Sequence, residues 1–254
     1  MAYKGTKDLA GLYLGTVDVK GDVEAANLKM SNSVSAFQPL GAVNPAPINA
    51  GTRSGTLSLT GYYNGTDTTL DTVAAQANAS VLCAMLVDGA SPYSGSPTLY
   101  RYYGIQGGIL DSSELELAPS EAHKMATQVT VAGTVDLGYV VHDVTALRSG
   151  VTGTPTDATY ADLGANTAAT GIRAHLIIPT LTLGAATNLI VKLRHSTDHS
   201  SWADLASGAF TAATVPTTQT LTVASVVNRY LSIAWTWTGS TGTSFYAFVG
   251  VAVI

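Results

Sequence analysis

Polar and apolar residues alternate along several short segments of the chain, and this pattern predicts β-strands. Side chains along a strand point to opposite faces in turn, so a period of two collects the apolar residues on one face. The segments with this pattern are also rich in the β-branched and aromatic residues that fit a pleated, half-buried surface. They comprise residues 56–60, 128–132, 188–194, 220–223 and 229–235. A mainly all-β protein is therefore predicted.

Glycine-containing turns are predicted between these strands, at residues 64–65, 88–89, 107–108 and 239–244. Short strands joined by such turns predict a β-sandwich or a β-barrel. One flanking helix is expected from Asp67 to Ala84, because apolar residues recur there at helical spacing behind a capping residue. A shorter helical turn is expected at residues 201–205.

A turn-rich stretch of small residues at about 148–157 is predicted to be a linker. It separates an N-terminal β domain, residues 1–147, from a C-terminal β module, residues 158–254. The segment at 130–139 is similar to the one at 222–230, which leaves open that the second module is a degenerate tandem copy of the first.

Charge is scarce in this chain and changes what the surface is expected to do. Charged residues make up 11% of the 254 residues and the formal net charge is -5, whereas an average globular protein has about 25% charged residues. A weakly charged surface is readily buried against copies of itself, which favours an assembly protein. No run of basic residues is present to neutralise phosphates, while a weakly negative wall would let DNA slide past.

Neither the polar N-terminal residues nor the apolar stretches indicate targeting to a membrane. Apolar stretches such as residues 176–178 and 245–254 are far shorter than the roughly 20 residues that span a bilayer. We therefore expect synthesis in the cytoplasm without contact with a membrane. The chain has a single cysteine, so no intramolecular disulfide can form.

Two groups of motifs resemble proteins of bacteriophage particles. In the N-terminal half, segments 16–22, 55–65, 100–105 and 129–136 resemble strands of the major tail tube proteins of long-tailed, siphovirus-type phages. The C-terminal half carries a loose pattern that resembles a β module common in phage structural proteins. Its residues are Ser196, Asp198, Trp202 and Leu205, followed by Val227, Arg229, Tyr230 and Leu231. The implied architecture is a tail-tube-like β-sandwich or barrel with one flanking helix, followed by a second β-sandwich-like module.

This resemblance implies a virion structural protein that assembles into stacked rings and forms the tail tube through which DNA passes. The implied partners are other copies of the chain, as hexameric rings or as trimers if the halves are tandem tube domains. Tape measure and terminator proteins of the tail are further implied partners, and DNA is implied only as passing cargo. The protein would be made in the cytoplasm of the host bacterium and would reside in the virion tail.

Two candidate sites follow from this interpretation. The segment from residue 36 to 53 contains Pro39, Pro45, Pro47 and Arg53, and it is predicted to be a long loop that contacts the next ring. Glu114 and Glu116 are two residues apart in a predicted strand and therefore share one of its sides. They are candidates for an acidic face that lines the lumen.

The residues that could carry chemistry give no support for an enzyme. The glutamate pair could serve glycoside hydrolysis, but nothing around it indicates a pocket. His195, Asp198 and His199 fall at a strand end, where the spacing does not place histidines on one helical face, so no metal site is predicted. Nucleophile-elbow, phosphate-loop and dinucleotide motifs are absent from the sequence, and no cofactor is expected.

Two other roles remain open at this point. The chain could be a capsid decoration or tail-attached protein. It could also be a carbohydrate-binding β-sandwich for host attachment, because aromatic residues cluster in the C-terminal half. Trp235 and Trp237 lie on the same face of one predicted strand, and they are predicted to be core anchors.

Overall fold

The computed structural model describes twelve stretches of the chain. They are residues 11–21, 23–37, 46–62, 80–87, 101–116, 124–131, 133–142, 147–150, 153, 160–163, 171–240 and 242–254. Every regular element within these stretches is a β-strand, so the predicted all-β class is confirmed. No helix that could cross a membrane occurs in this described part of the chain.

The described residues form sixteen strands. In chain order they are β1 Leu12–Leu14, β2 Val17–Asp18, β3 Val23–Phe37, β4 Ala46–Tyr62, β5 Ser80–Val87, β6 Arg101–Glu116, β7 Lys124–Val131, β8 Val135–His142, β9 Arg148–Gly150, β10 Ala161–Asp162, β11 Ile172–Thr182, β12 Asn188–Ser196, β13 Ala203–Ala209, β14 Thr217–Val223, β15 Tyr230–Thr238 and β16 Gly242–Val253. Each of the five alternating segments read from the sequence overlaps one of these strands.

The strands belong to two compact units that interleave along the chain. The first unit comprises residues 1–20, 84–104 and 136–254, and the second comprises residues 21–83 and 105–135. The predicted linear division into 1–147 and 158–254 stays a prediction about independent folding. Strand pairing connects segments on the two sides of this division, because Val140 of β8 lies opposite Gly250 of β16.

A β-sandwich forms the larger part of the first unit. One sheet has the strand order β14-β11-β16-β8-β6-β5-β1-β2, with β9 pairing beside β16, and the other has the order β10-β15-β12-β13. Of β6 and β5, only residues 101–104 and 84–87 belong to the first unit. Apolar side chains from both sheets make one core, such as Leu176 of β11 and Val191 of β12. The rings of Trp235 and Trp237 pack edge-on against Phe245, at 5.6 and 5.7 Å between centroids. Both tryptophans are only 6% exposed, so their predicted role as core anchors is confirmed.

The opposite face of β11 and β16 is buried as well, because the first sheet curls over it. The ring of Phe248 in β16 contacts Tyr13 of β1, which is four places away in the strand order, at 6.0 Å. It also contacts Tyr102 edge-on at 5.7 Å. Glycine is required beside Tyr102, because a Cβ at either Gly138 or Gly250 would come within 2.6 Å of its ring.

The second unit contains an antiparallel sheet with the order β3-β4-β7-β6. Burial alternates along β4, where Leu57 and Leu59 are buried and Ser58 between them is exposed. Leu57 lies opposite Val129 of β7, so apolar residues of neighbouring strands share one face. β3 and β4 form a long hairpin whose register extends from Val23 to Phe37.

Three local predictions differ from the structure. The predicted helix does not reach Ala84, because residues 80–87 form β5, while residues 67–79 lie outside the described stretches. The run at 81–87 is uninterruptedly apolar, and such a run fits a buried strand as well as a helix. The turn expected at 107–108 lies inside β6, where Gly107 has a φ of +67°. Instead of the helical turn at 201–205, β13 begins at Ala203.

Candidate functional site

The exposed face of the second unit's sheet is polar on all four strands, and we call it the polar face. Its members are Lys29 of β3, Thr56 and Ser58 of β4, Gln128 and Thr130 of β7, and Asp111, Glu114 and Glu116 of β6. On β4 and β7 these side chains face solvent because alternate residues, such as Leu57 and Val129, are apolar and buried on the opposite face. On β6, residues 111–116 are all exposed. This face contains the two glutamates that the sequence singled out.

Negative charge on the polar face is concentrated on one strand. Glu114 and Glu116 are exposed alternate residues of β6, and Asp111 lies earlier on it. The Asp111 carboxylate accepts hydrogen bonds from Gln128 Nε2 and Thr130 Oγ1, both at 3.2 Å. A flat, exposed row of carboxylates repels phosphate groups and offers no enclosed space for catalysis. That it lines a lumen stays a prediction.

A lysine on the strand next to this row interacts with other groups. Lys124 is the cross-strand neighbour of Glu116, but its Nζ lies 3.5 Å from Glu24 and 5.9 Å from the Tyr62 ring centroid. The row of carboxylates on β6 therefore keeps its negative character beside this lysine.

The predicted inter-ring loop is mostly strand where the structure describes it. Pro47 and Arg53 lie in β4, opposite Ala36 and Asn32 of β3, whereas Pro39 and Pro45 lie outside the described residues. The expectation of a loop from 36 to 53 is therefore corrected to a hairpin. Proline is tolerated here because β4 pairs with β7 only from Gly55 onward, so a missing N–H at residue 47 can face away from β3. The inter-ring role stays a prediction.

Most edge strands among the described residues carry features that discourage pairing with another chain. β2 and β10 have two residues each. β13 contains Asp204, a register shift against β12 and Ser207 at a φ of 58°. β3 contains Glu24 and Lys29 and two register shifts against β4. Short length, charge and bulges are the usual protections of a sheet edge.

β14 has none of these protections. Its seven residues, Thr217–Val223, contain no charge and pair with β11 without a register shift. The N–H of Ile254 donates to the carbonyl of Gly171. Because the residues of an antiparallel strand bond alternately to its two neighbours, the backbone groups of every second residue after Gly171 point to β16, and those of the residues between them point to β14. It follows that Thr218, Thr220 and Thr222 direct their backbone groups away from the sheet.

A buried polar cluster that the sequence analysis did not predict lies in the first unit. Asp136 accepts hydrogen bonds from Arg173 at 2.8 Å and from His175 Nε2 at 2.9 Å. Thr220 Oγ1 lies 3.3 Å from His175 Nδ1. His175 is completely buried, so no substrate can reach the imidazole, and the cluster joins three strands structurally. The available signal is the pair of polar residues Arg173 and His175 within the otherwise apolar run of residues 172–178.

The hydroxyl of Tyr102 is an unusual buried group beside this cluster. It is shielded from solvent and makes no hydrogen bond among the described residues. Burial raises the pKa of Tyr102 well above its ordinary value of 10.0, and the charge of Asp136 raises it further. The phenol is therefore held in its neutral form.

The histidines near the β12–β13 turn point to different partners. His195 Nδ1 accepts a hydrogen bond from Asn228 N at 3.3 Å, and partial burial lowers its pKa. His199 stacks on Tyr160 at 5.2 Å. Within the described stretches, no three His, Cys, Asp or Glu side chains group together as metal ligands would.

Asp198 organises that turn. Its carboxylate accepts hydrogen bonds from the N–H groups of Ser201 and Ser200 at 2.8 and 2.9 Å, and from Ser196 Oγ at 2.9 Å. These bonds, above all that from Ser201, hold the pKa of Asp198 well below its usual range. Asp198 therefore acts as the acceptor that shapes the turn.

Comparisons with known proteins find structural likeness only. No protein-family profile and no curated protein matches the chain. A chain of the native gene transfer agent virion is 15% identical, with a TM-score of 0.40 over 54% of this chain and 98% of its own length. A tail chain of the empty gene transfer agent particle is 14% identical, with a TM-score of 0.38 over 53% and 97%. SPP1 Dit, described as a hub of an adsorption apparatus in phages infecting Gram-positive bacteria, is 12% identical, with a TM-score of 0.33 over 95% and 98%. All three TM-scores are below 0.5, so none of these likenesses assigns a function.

Proposed function

We propose that this chain is a structural subunit of a phage tail that assembles with copies of itself into stacked rings around a channel for DNA. The observation that carries the proposal is β14, a regular, uncharged edge strand with outward backbone groups. The motifs that resemble tail tube proteins and the low charge of the whole chain support it.

An open edge of this kind is a liability for a monomer. Its unpaired N–H and C=O groups form a template for any other strand, and natural monomers protect such edges. The edges β2, β10 and β13 carry charge, bulges or very few residues, and β3 carries its charges only before Met30, so β14 is the least protected edge among the described strands. Pairing with another copy would satisfy those backbone groups and bury a Thr-rich strand with no charge to desolvate.

A closed ring needs a head-to-tail contact between two different surfaces of each copy. β14 supplies one edge. The other edge we propose is β3, the longest strand that pairs on one side only among the described strands. Its segment from Met30 to Phe37 contains no charged residue and has one register shift against β4, between Asn32 and Val34, so the proposed pairing would use the regular stretches on either side of that shift. Six copies, or three if the chain contains tandem tube domains, would close such a ring.

In this arrangement the polar face would line the channel. The carboxylates on β6 would give the wall a negative field, and negative walls let the DNA phosphates pass without binding. The β3–β4 hairpin, with Pro47 and Arg53 on its distal half, would contact the next ring. Tape measure and terminator proteins would bind the channel and its end.

Negative-stain electron microscopy of the purified protein tests the proposal, with its mass in solution measured beside it. Rings or hollow tubes are expected, and their symmetry gives the number of copies. Monomers that stay dispersed at high concentration would reject self-assembly. Binding of such monomers to a capsid lattice or a completed tail would then indicate a decoration or tail-attached protein.

One variant distinguishes edge pairing from other contacts. Thr218→Pro removes an outward N–H of β14 while leaving the bonds to β11 in place, so it should fold and fail to form rings. Thr218→Val keeps the N–H and serves as the matched control that still assembles. Rings of normal size from Thr218→Pro would show that β14 is not the contact.

A further inference from the structure

Four aromatic rings from three separate chain segments meet at one end of the sheet β10-β15-β12-β13. Tyr160 immediately precedes β10, Tyr230 begins β15, and His199 and Trp202 lie in the turn between β12 and β13. We call these four residues the aromatic patch. The rings of Tyr160 and His199 are stacked at 5.2 Å with an angle of 15°. Tyr230 stands edge-on to both, at 5.5 and 5.4 Å, and Trp202 lies 6.4 Å from Tyr160.

The aromatic patch is accessible to solvent, unlike the tryptophans of the core. His199 is exposed, and Tyr160, Trp202 and Tyr230 are half-buried. Aromatic rings that only complete a core are normally covered, because the hydrophobic effect favours their complete burial. Loops at the end of a sandwich are also where such folds present binding residues.

The backbone holds one ring of the aromatic patch in an uncommon conformation. His199 has a φ of 51°, in the left-handed region that residues with a Cβ rarely adopt. The hydrogen bonds from Ser200 and Ser201 to Asp198 fix this turn. Strained backbone that the surroundings enforce is found preferentially at binding sites.

A rigid ion pair borders the rings. Arg229 donates from Nε and from one terminal nitrogen to the two oxygens of Asp162, at 2.7 and 2.8 Å. The same guanidinium lies over the Tyr230 ring, 4.9 Å from its centroid. The bidentate pair fixes both groups beside the aromatic surface. The Arg229 side chain is 45% exposed and that of Asp162 is 11% exposed, so the guanidinium N–H groups are the polar groups that a ligand can reach most readily there.

We propose that the aromatic patch, together with Arg229 and Asp162, binds a neutral sugar ring of a polysaccharide. A pyranose presents a face of C–H groups, which packs on aromatic rings, and a rim of hydroxyls, which both donate and accept hydrogen bonds. The charges of Arg229 and Asp162 offset each other, so a neutral ligand fits better than an anion. A proline-rich peptide would use the rings but not the ion pair. The proposal does not depend on ring assembly.

The test is saturation-transfer NMR on the full chain, with chitotriose, cellotriose and maltotriose as probes. At least one probe is expected to show transfer to its ring C–H protons. His199→Gly should weaken that binding about tenfold, which corresponds to about 1.4 kcal/mol, because it removes a ring. Glycine adopts a positive φ freely, so this variant should keep the stability of the wild type. Tyr160→Ala should weaken binding similarly, and Tyr62→Ala, an exposed tyrosine of the second unit, should leave it unchanged.

Three results would overturn the proposal. One is that none of the three probes shows transfer at about 10 mM, a concentration that reveals even weak binding. Another is that binding persists unchanged in His199→Gly. The third is that a polyproline peptide binds at Tyr160 and His199 while the sugars do not, which would assign the aromatic patch to peptide recognition.

Discussion

The two units use their sheets differently. β11 of the first unit is covered on both faces, so Ala174, His175 and Leu176 are all buried. β4 of the second unit is covered on one face, so Leu57 is buried and Ser58 is exposed. The first arrangement makes a core that tolerates little change, whereas the second leaves a whole face available for interactions. Substitutions should therefore affect stability in the buried strands of the first unit, and interactions with a ligand or with DNA on the polar face of the second.

The largest effect is expected from Phe245→Ala in the sandwich core. Phe245 is completely buried against Trp235 and Trp237, and truncation of such a ring costs about 3–5 kcal/mol of unfolding free energy. Urea unfolding followed by tryptophan fluorescence measures it. Tyr246→Ala changes the next residue, which is half-buried, and should cost less than half as much. Equal losses would contradict the assignment of the core face.

The next largest loss of stability is expected from Asp136→Asn. It leaves Arg173 and His175 without their charged partner in a buried site, and breaking such a pair costs about 3 kcal/mol. The matched change on the polar face, Asp111→Asn, should stay within about 0.5 kcal/mol because Asp111 is exposed. Chemical denaturation of both variants at neutral pH gives the comparison. Similar losses at the two sites would remove the contrast between the units.

Tyr102→Phe should act in the opposite direction and stabilise the protein by about 1 kcal/mol, because it removes a buried hydroxyl without a hydrogen-bond partner. It should also change the alkaline limit of stability. The pKa of Tyr102 is raised in the folded protein. The stability that this difference in pKa contributes is therefore complete below the unfolded pKa of about 10, and it declines as the pH rises above that value. Thermal unfolding between neutral and strongly alkaline pH should show a smaller decline for Tyr102→Phe than for the wild type.

The smallest effect on stability is expected from Glu114→Gln combined with Glu116→Gln. Both residues are exposed, so stability should change by no more than about 0.5 kcal/mol. The effect on the proposed channel should be larger. Assembled particles of this variant should retain double-stranded DNA better at low salt, because the wall has lost two negative charges. A control that removes two exposed carboxylates of the first unit, Asp18→Asn with Asp204→Asn, should not do so. Equal retention by both variants would reject the lumen assignment.

The contrast between the units also explains what the sequence could predict. Strands with one exposed face, such as β4 and β12, show an alternation of polar and apolar residues in the sequence, and the sequence therefore predicts them. The flanking helix was placed partly on β5, because a uniformly apolar run carries no period. The predicted loop from 36 to 53 was wrong where β4 begins, since prolines at an edge do not end a strand.

The interacting side chains were harder to predict than the strands. Asp136 and His175 are 39 residues apart, and only the register of the sheet brings them together. Tyr160 was not singled out, because its partners His199 and Tyr230 belong to other segments. The spacing of His199 from His195 suggests a metal ligand at first sight, and no neighbouring residue in the sequence indicates that His199 stacks on an aromatic ring. The two glutamates were found because their spacing alone places them on one side of a strand.

The position of β16 has a consequence for how the protein is made. β16 lies between β11 and β8, yet it follows every other described strand in the chain, and about 100 residues separate it from the end of β8. About 60 residues separate β16 from the end of β11, and translation at roughly 5–20 residues per second takes about 3–12 s to add them. During that time both neighbours have been synthesised without the strand that joins them. The nascent chain therefore spends seconds with two open apolar strands, and a ribosome-associated chaperone would find its substrate there.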